Sequence, residues 1–210
     1  MLQDTGGSRR ILGGLPADLP LDALGSSVNP VLADAALGLV ESALRGDRGG
    51  WDGLFDRFHP VVYRYALART GDRSAAEEIA QEVFVAATRT LSRLRERSEP
   101  GIEGWFVAIA RNKLADRHRR RVLDERAAPR PEHGADAAEL ATSRLAAAEL
   151  RAAMEGITEE QREVLLRRFV LDQSLEQVAQ ALGRKVGAVK ALQHRALAAL
   201  ERRLGEGWAR

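Results

Sequence analysis

Six residues near the C-terminal end have types and spacing suited to reading double-stranded DNA: Arg184, Lys185, Lys190, Ala191, His194 and Arg195. Lys and Arg can contact phosphates or the guanine edge, and a small residue such as Ala191 permits close approach or a thymine-methyl contact. They lie in SLEQVAQALGRKVGAVKALQHRALAAL, residues 174–200, which reads as a helix, a tight turn and a second helix. Leu175, Val178, Ala179 and Leu182 supply the first buried face. Gly183 can take the left-handed conformation that the turn needs. Val186, Val189, Leu192, Ala196 and Leu200 form the buried stripe of the second helix and leave the six residues near its open face. The N-terminal end of such a helix enters the major groove. The alternative is an ordinary solvated face in a helical bundle.

No catalytic or metal constellation is visible, and no cofactor is expected. The four His residues, at 59, 118, 133 and 194, lack ligand spacing, and no Gly-rich loop cradles a phosphate. The absence of Cys excludes disulfides, zinc–thiolate sites and thiol redox sensing and fits the cytoplasm. A non-enzymatic chain is therefore expected. No apolar run approaches a membrane span. Arg9-Arg10 followed by ILGGL resembles an export signal only until Pro16, Asp18, Pro20 and Asp22 interrupt it.

The elements that must position these residues are helices. The chain has 210 residues, of which 45% are hydrophobic, 30% charged and 5% aromatic. It is rich in Ala and Leu and has no alternating β-branched runs, so an all-α fold is expected. The net charge of +2 says little by itself; the distribution of charge says more. Residues 1–30 read as a flexible extension. Leu32, Ala36, Leu39, Val40 and Ala43 mark a first helix, ended by GDRGG at 46–50. Trp51, Leu54, Phe55 and Phe58 make the next stripe, which Pro60 breaks or kinks before it resumes from Val61 to Ala68. Ser74 with Glu77 reads as a capping box opening a helix with Ile79, Val83, Ala87, Leu91 and Leu94 on its buried face. A polar loop is expected at 95–104, then a helix led by Trp105, Ile109 and Leu114 and ending in the basic run Arg117–Arg121. Residues 124–142 lose periodicity and read as a linker. Beyond Ser143, capping boxes at Thr158/Gln161 and Ser174/Gln177 let three helices be placed. Two small helical domains, 31–123 and 143–204, joined by a flexible linker and followed by a tail at 205–210, are the expected architecture.

The segments GDRSAAEEIAQEVFVAATRTL (71–91), WFVAIARNKLADRHRRR (105–121) and EEQREVLLRRFVLDQSLEQVAQALGRKVGAVKALQHRALAAL (159–200), in that order, resemble the extracytoplasmic-function sigma factors of the sigma-70 family. The likeness covers about residues 33–204. It implies an alternative sigma factor that binds core RNA polymerase through its beta-prime and beta subunits. Such a chain reads the minus-35 and minus-10 elements of promoter DNA, melts the latter, and is held by an anti-sigma factor. Glu77, Glu78, Gln81 and Glu82 would form the acidic face that docks on a basic coiled coil of beta-prime, charge complementarity setting orientation and on-rate. The bland reading is a solvated acidic face near a positive helix N-terminus.

Opening DNA costs a few kcal/mol per unstacked base, which a base pocket and a basic backbone track can offset. By resemblance, the 95–104 loop and Asn112 would contact a flipped base, and Lys113, Arg117, Arg120 and Arg121 would hold phosphates or upstream duplex. Trp105 is read as core. An extended 124–142 segment spans about 60 Å at ~3.3 Å per residue, and two turns of duplex measure about 70 Å. With the domain radii added, one molecule can touch both elements. Glu132, Asp136 and Glu139 would suit a path through a positive channel. The segment leaves no room for a further compact domain. The sequence departs from many relatives at Ile157-Thr158, where they have Leu-Pro, and at Ala188, Ala191 and Leu192, which bear on minus-35 preference. An autonomous helix-turn-helix regulator, binding as a dimer without polymerase, and a helical protein-only adaptor are the alternatives. The docking helix argues against the first and the basic run against the second.

Overall fold

The computed structural model describes residues 30–125 and 149–205, with side chains described over 35–121 and 149–205. The expected extension, most of the linker (Glu132, Asp136 and Glu139 included) and most of the tail lie outside the described residues. Every regular element among those described is helical, so the all-α expectation holds. The first half contains α1 (Pro30–Leu44), α2 (Arg48–Thr70), α3 (Arg73–Thr90) and α4 (Glu99–Glu125), with a short 3-10 turn at Leu91–Arg93. The second contains a helix over 149–155 (α5), then α6 (Glu159–Phe169), α7 (Leu175–Leu182) and α8 (Val186–Leu204). None of the described helices is long and apolar enough to cross a membrane.

Local chemistry explains where these helices start and stop, and it corrects several expectations. The first helix ends ahead of GDRGG as expected, and the next begins inside that segment, because Asp47 caps α2 by accepting from the Gly49 N–H at 3.0 Å, so Arg48-Gly49-Gly50 is already helical. Gly50 is needed there for contact: a Cβ would sit 2.4 Å from the Ala43 backbone nitrogen, where α1 meets α2. Pro60 does not break α2, which runs through it. The proline lacks only one donor, and the apolar face on both sides (Leu54, Phe58, Val62, Tyr65) is buried. The expected Ser74/Glu77 capping box is absent. Asp72 holds the N-cap of α3 instead, accepting from the Ala75 N–H at 2.8 Å. A carboxylate there satisfies an orphan donor and favours the positive helix end. The 95–104 loop is shorter than expected, since α4 starts at Glu99. Pro100 sits in the first turn, where its missing N–H costs nothing, and the Gly101 N–H donates to Ser98 Oγ at 3.2 Å.

In the second half both capping boxes form as read, Thr158 with Gln161 and Ser174 with Gln177. Among the described residues of this half there are four helices rather than the three expected, because a helix over 149–155 precedes α6. Two small cores hold this half together. Ala153, Ile157, Leu165, Ala196 and Leu200 cluster in one, and Val164, Val178, Ala179, Val189 and Leu192 in the other. Leu166 and Leu171 point elsewhere, into the core of the first half with Val40, Phe58, Ile79 and Phe106. Burying a leucine contributes about 1.5–3 kcal/mol, so the two halves share an apolar interface.

That interface also carries a buried polar chain. The Tyr65 hydroxyl donates to Glu163 Oε2 at 2.5 Å, and Arg167 Nε donates to Glu163 Oε1 at 2.7 Å. Arg167 Nη1 donates to Gln173 Oε1 at 3.3 Å, and Gln173 Nε2 donates to Glu103 Oε1 at 2.7 Å. Glu163 and Arg167 are only 3% and 2% exposed. Burial, followed by the charge of Glu163 beside it, pushes the Tyr65 phenol well up, and burial also raises the Glu103 carboxyl. At the rim, Arg69 pairs with Glu159 at 2.6 Å, and Gln180 Nε2 donates to Glu96 at 2.8 Å.

Candidate nucleic-acid interface

The turn between α7 and α8 is tight because Gly183 adopts φ 61°, in the left-handed region. Its neighbour's N–H, that of Arg184, donates back to the Ala179 carbonyl at 2.8 Å. Val178, Ala179, Val189 and Leu192 lock the two helices together, with Leu175 and Leu182 half-buried beside them. Val189, Leu192, Ala196 and Leu200 are buried as expected, but Val186 is 38% exposed. It occupies the first turn of α8. Arg184, Lys185, Lys190, Ala191, His194 and Arg195 are all exposed, and the structure brings them together at the start and along the outer face of α8. The Arg184 guanidinium pairs with Glu160 of α6, and Arg195 Nε donates to the Ala191 carbonyl at 3.3 Å. One feature escaped the sequence reading. Lys185 stands at the N-cap of α8 and supplies no side-chain acceptor. An uncapped helix start flanked by two cations suits a phosphate. The signal was present as a Lys where Ser, Thr, Asp or Asn would cap.

The other two constellations, read from the sequence as separate surfaces, lie side by side. α3 and α4 pack together, and Glu82 Oε2 meets Lys113 Nζ at 3.2 Å. One turn away, Glu78 pairs with the Arg117 guanidinium. The i, i+4 spacing on each helix makes these two rungs of one ladder. Glu77 turns to the other side, 3.6 Å from His59 Nε2, and Gln81 is exposed. Asn112, Arg120 and Arg121 are exposed along the same stretch of α4.

Trp105 is only half-buried. Phe106 takes the core position, against Phe58 with ring centroids 5.2 Å apart, while Trp105 meets Phe106 edge-on at 5.0 Å. The entry to α4 is tied on both sides, Glu96 of the preceding segment to Gln180 of α7 and Glu99, the first residue of α4, to Arg57 of α2 at 2.8 Å. No group of three or more His, Asp or Glu among the described residues could hold a metal.

Comparison with known proteins identifies the family. The sigma-70 region 2 family matches residues 54–122, and the sigma-70 region 4 family matches residues 147–200. An ECF RNA polymerase sigma factor, SigD of Mycobacterium tuberculosis, is 36% identical over 173 residues, covering 78% of this chain and 81% of the relative. ShbA of Streptomyces griseus, another such factor, is 34% identical over 175 residues, covering 77% and 91%. Among solved structures, CnrH in complex with the cytosolic domain of CnrY aligns with a TM-score of 0.60 and 25% identity, covering 80% of this chain and 96% of that one. A helix-turn-helix joined to a region 2 bundle defines a sigma-70-type initiation factor. More particularly, the chain belongs to the extracytoplasmic-function sigma factors, the alternative sigma factors that direct RNA polymerase to specific promoters.

Proposed function

We propose that the chain divides its work between its two halves. Residues 31–123 would dock on core polymerase and open the minus-10 element, and residues 143–204 would read the minus-35 element. Glu77, Glu78, Gln81 and Glu82 present the acidic face for a basic polymerase surface. Asn112, Lys113, Arg117, Arg120 and Arg121 hold the separated strand and nearby phosphates. Arg184, Lys185, Lys190, Ala191, His194 and Arg195 enter the major groove. Polymerase supplies the chemistry, so the chain is not itself an enzyme, and it acts in the cytoplasm. The observation that carries this reading is the α7–α8 unit, whose six predicted recognition residues all lie exposed on one side of a well-packed turn. CnrH, with a similar fold, is in complex with the cytosolic domain of another protein. By analogy an anti-sigma partner is proposed here.

The packed arrangement of the two halves is the form free of DNA. Two promoter elements roughly 70 Å apart exceed the span of a compact body of this chain length, about 45 Å from the usual scaling of radius of gyration. The Tyr65–Glu163 and Gln173–Glu103 contacts must therefore part when both elements are bound. The residue assignments are tested by two variants. Lys190→Ala lowers affinity for minus-35 duplex by about 1–3 kcal/mol if it makes a base contact. Asn112→Ala slows promoter opening, read by permanganate reactivity, more than it weakens polymerase binding. Unchanged duplex affinity, or equal losses in both assays, would remove the respective residue from its site.

A further inference from the structure

Among the partly buried apolar side chains of the described residues, Met154 alone packs against the cores of both halves. It stands near the end of α5 and is half-buried. On one side is the first-half core, with Phe58, Phe106 and Leu171; on the other are Ile157, Leu165 and Ala196 of the second half. The Met154 carbonyl accepts from Arg162 of α6, from Nε at 3.1 Å and from Nη2 at 2.8 Å. One turn earlier, Arg151 lies on the α2–α3 turn, so close that a Cβ on Gly71 would sit 2.7 Å from it. The main chain of α5 is thus fixed to the second half, while its side chains clasp the first. The chain has no Cys and two Met, and Met1 lies outside the described residues, so Met154 carries the one sulfur among those described. We propose that Met154 is a modification site for hydrogen peroxide or another two-electron peroxide oxidant, and that its conversion to the sulfoxide unclasps the two halves. The inference rests on the reading above that the packed arrangement is the DNA-free form, and adds a chemical signal that opens it.

The step is an oxygen transfer. The thioether lone pair attacks one peroxide oxygen, and an S–O bond forms as the O–O bond breaks. The departing hydroxide takes the proton of the transferred oxygen and leaves as water. Sulfur loses two electrons and the peroxide gains them. A flexible apolar side chain that fills a gap between two cores becomes polar and chiral. The new oxygen faces apolar groups on both sides, and a polar group buried without a partner shifts an equilibrium by about 5- to 150-fold. Met154 is only half-buried, so a shift of about 5- to 20-fold toward the open form is expected. The Arg162 contacts are to the main chain, so they survive oxidation and α5 stays with the second half. Reduction of the sulfoxide by methionine sulfoxide reductase makes the change reversible.

The test uses the full chain with a dye pair on Arg89→Cys and Glu201→Cys, both exposed positions on different halves. Single-molecule energy transfer counts closed and open molecules before and after hydrogen peroxide, and peptide mass spectrometry locates the added oxygen. The closed-to-open ratio should fall about 5- to 20-fold on oxidation and return with methionine sulfoxide reductase. Met154→Leu, of similar volume and identically labelled, should keep its ratio through the same treatment. Met154→Gln, which carries a polar group without any oxidant, should start with the lowered ratio. Untreated Arg167→Ala is the opening control. An unchanged ratio in chains fully oxidised at Met154, while Arg167→Ala opens, overturns the proposal and leaves the closed arrangement standing. An equal fall in treated Met154→Leu overturns it by placing the effect elsewhere. Met154 left intact under conditions that oxidise free methionine overturns it as well. Low transfer in the untreated parent and in Arg167→Ala alike overturns the closed arrangement, and the proposal with it.

Discussion

Arg167→Ala is the sharpest perturbation of the interface between the halves. The guanidinium is 2% exposed and reaches Glu163, which is 3% exposed, and Gln173. Without it the Glu163 carboxylate keeps only the Tyr65 hydroxyl as donor from the other half. Removing one partner of a buried pair costs about 3–5 kcal/mol, because the remaining charge is neither solvated nor compensated. Here the molecule has an escape. If the halves part, Glu163 returns to water, so the cost falls on the closed arrangement rather than on the helices of either half. A shift of about 3–5 kcal/mol moves the closed–open equilibrium by about two to four powers of ten. The chain contains no cysteine, so single cysteines introduced at exposed Arg89 and Glu201 accept a dye pair cleanly. Energy transfer between them should be high in the parent chain and low in Arg167→Ala, with helix content by circular dichroism unchanged. Replacing both charges together with the hydroxyl they serve, as Tyr65→Phe/Glu163→Leu/Arg167→Met, should restore high transfer, since an apolar cluster of similar volume leaves neither a buried charge nor the Tyr65 donor unpaired. Transfer and denaturation midpoint in Arg167→Ala equal to those of the parent would refute the claim that the buried pair holds the halves together.

Glu103→Gln keeps the oxygen that accepts from Gln173 and removes a carboxyl whose pKa burial has raised above its ordinary 4.5. The folded state therefore holds that proton more tightly than the unfolded chain, and stability is lost as pH rises through this window. Glu103→Gln should stabilise the protein at neutral pH, and the gain should vanish below about pH 4.5; urea midpoints at both pH values check it. Gly183→Ala meets no atom within 4 Å but must hold φ 61°. It should lower the melting temperature by destabilising the turn about 1 kcal/mol, while leaving the salt slope for duplex DNA unchanged. Asp72→Ala should cost about 1 kcal/mol and Ser74→Ala almost nothing, in denaturant titrations that follow far-ultraviolet circular dichroism.

What could be read in the sequence was whatever repeats locally. The stripe Val189, Leu192, Ala196 and Leu200 and the reciprocal caps at Thr158 and Ser174 depend on neighbours within a turn or two, and all are as read. The errors arose where local cues competed or partners were distant. Asp72 and Ser74 are both capping residues, and the aspartate won by standing where the backbone is still extended. Gly49 and Gly50 look like a loop, yet the second is small because α1 presses on it. Glu163 and Arg167 share one helix face among leucines, and i, i+4 opposite charges usually mark a solvated surface. Contacts from the first half, Tyr65 among them at 98 positions away in sequence, make that face an interior. Likewise, the six residues on α8 form one surface because they share a helix. That Glu82 faces Lys113 depends on how α3 packs on α4, which neither segment records alone.

The central claim is that this chain turns core polymerase toward particular promoters. It is tested most directly by run-off transcription from fragmented genomic DNA of the source organism, with core RNA polymerase alone and with the protein added. Discrete new transcripts that require the protein, and that disappear with Lys190→Ala or Asn112→Ala, are the predicted result. No new transcript, alongside tight and salt-sensitive duplex binding by the protein alone, would contradict the account and point to an autonomous helix-turn-helix regulator.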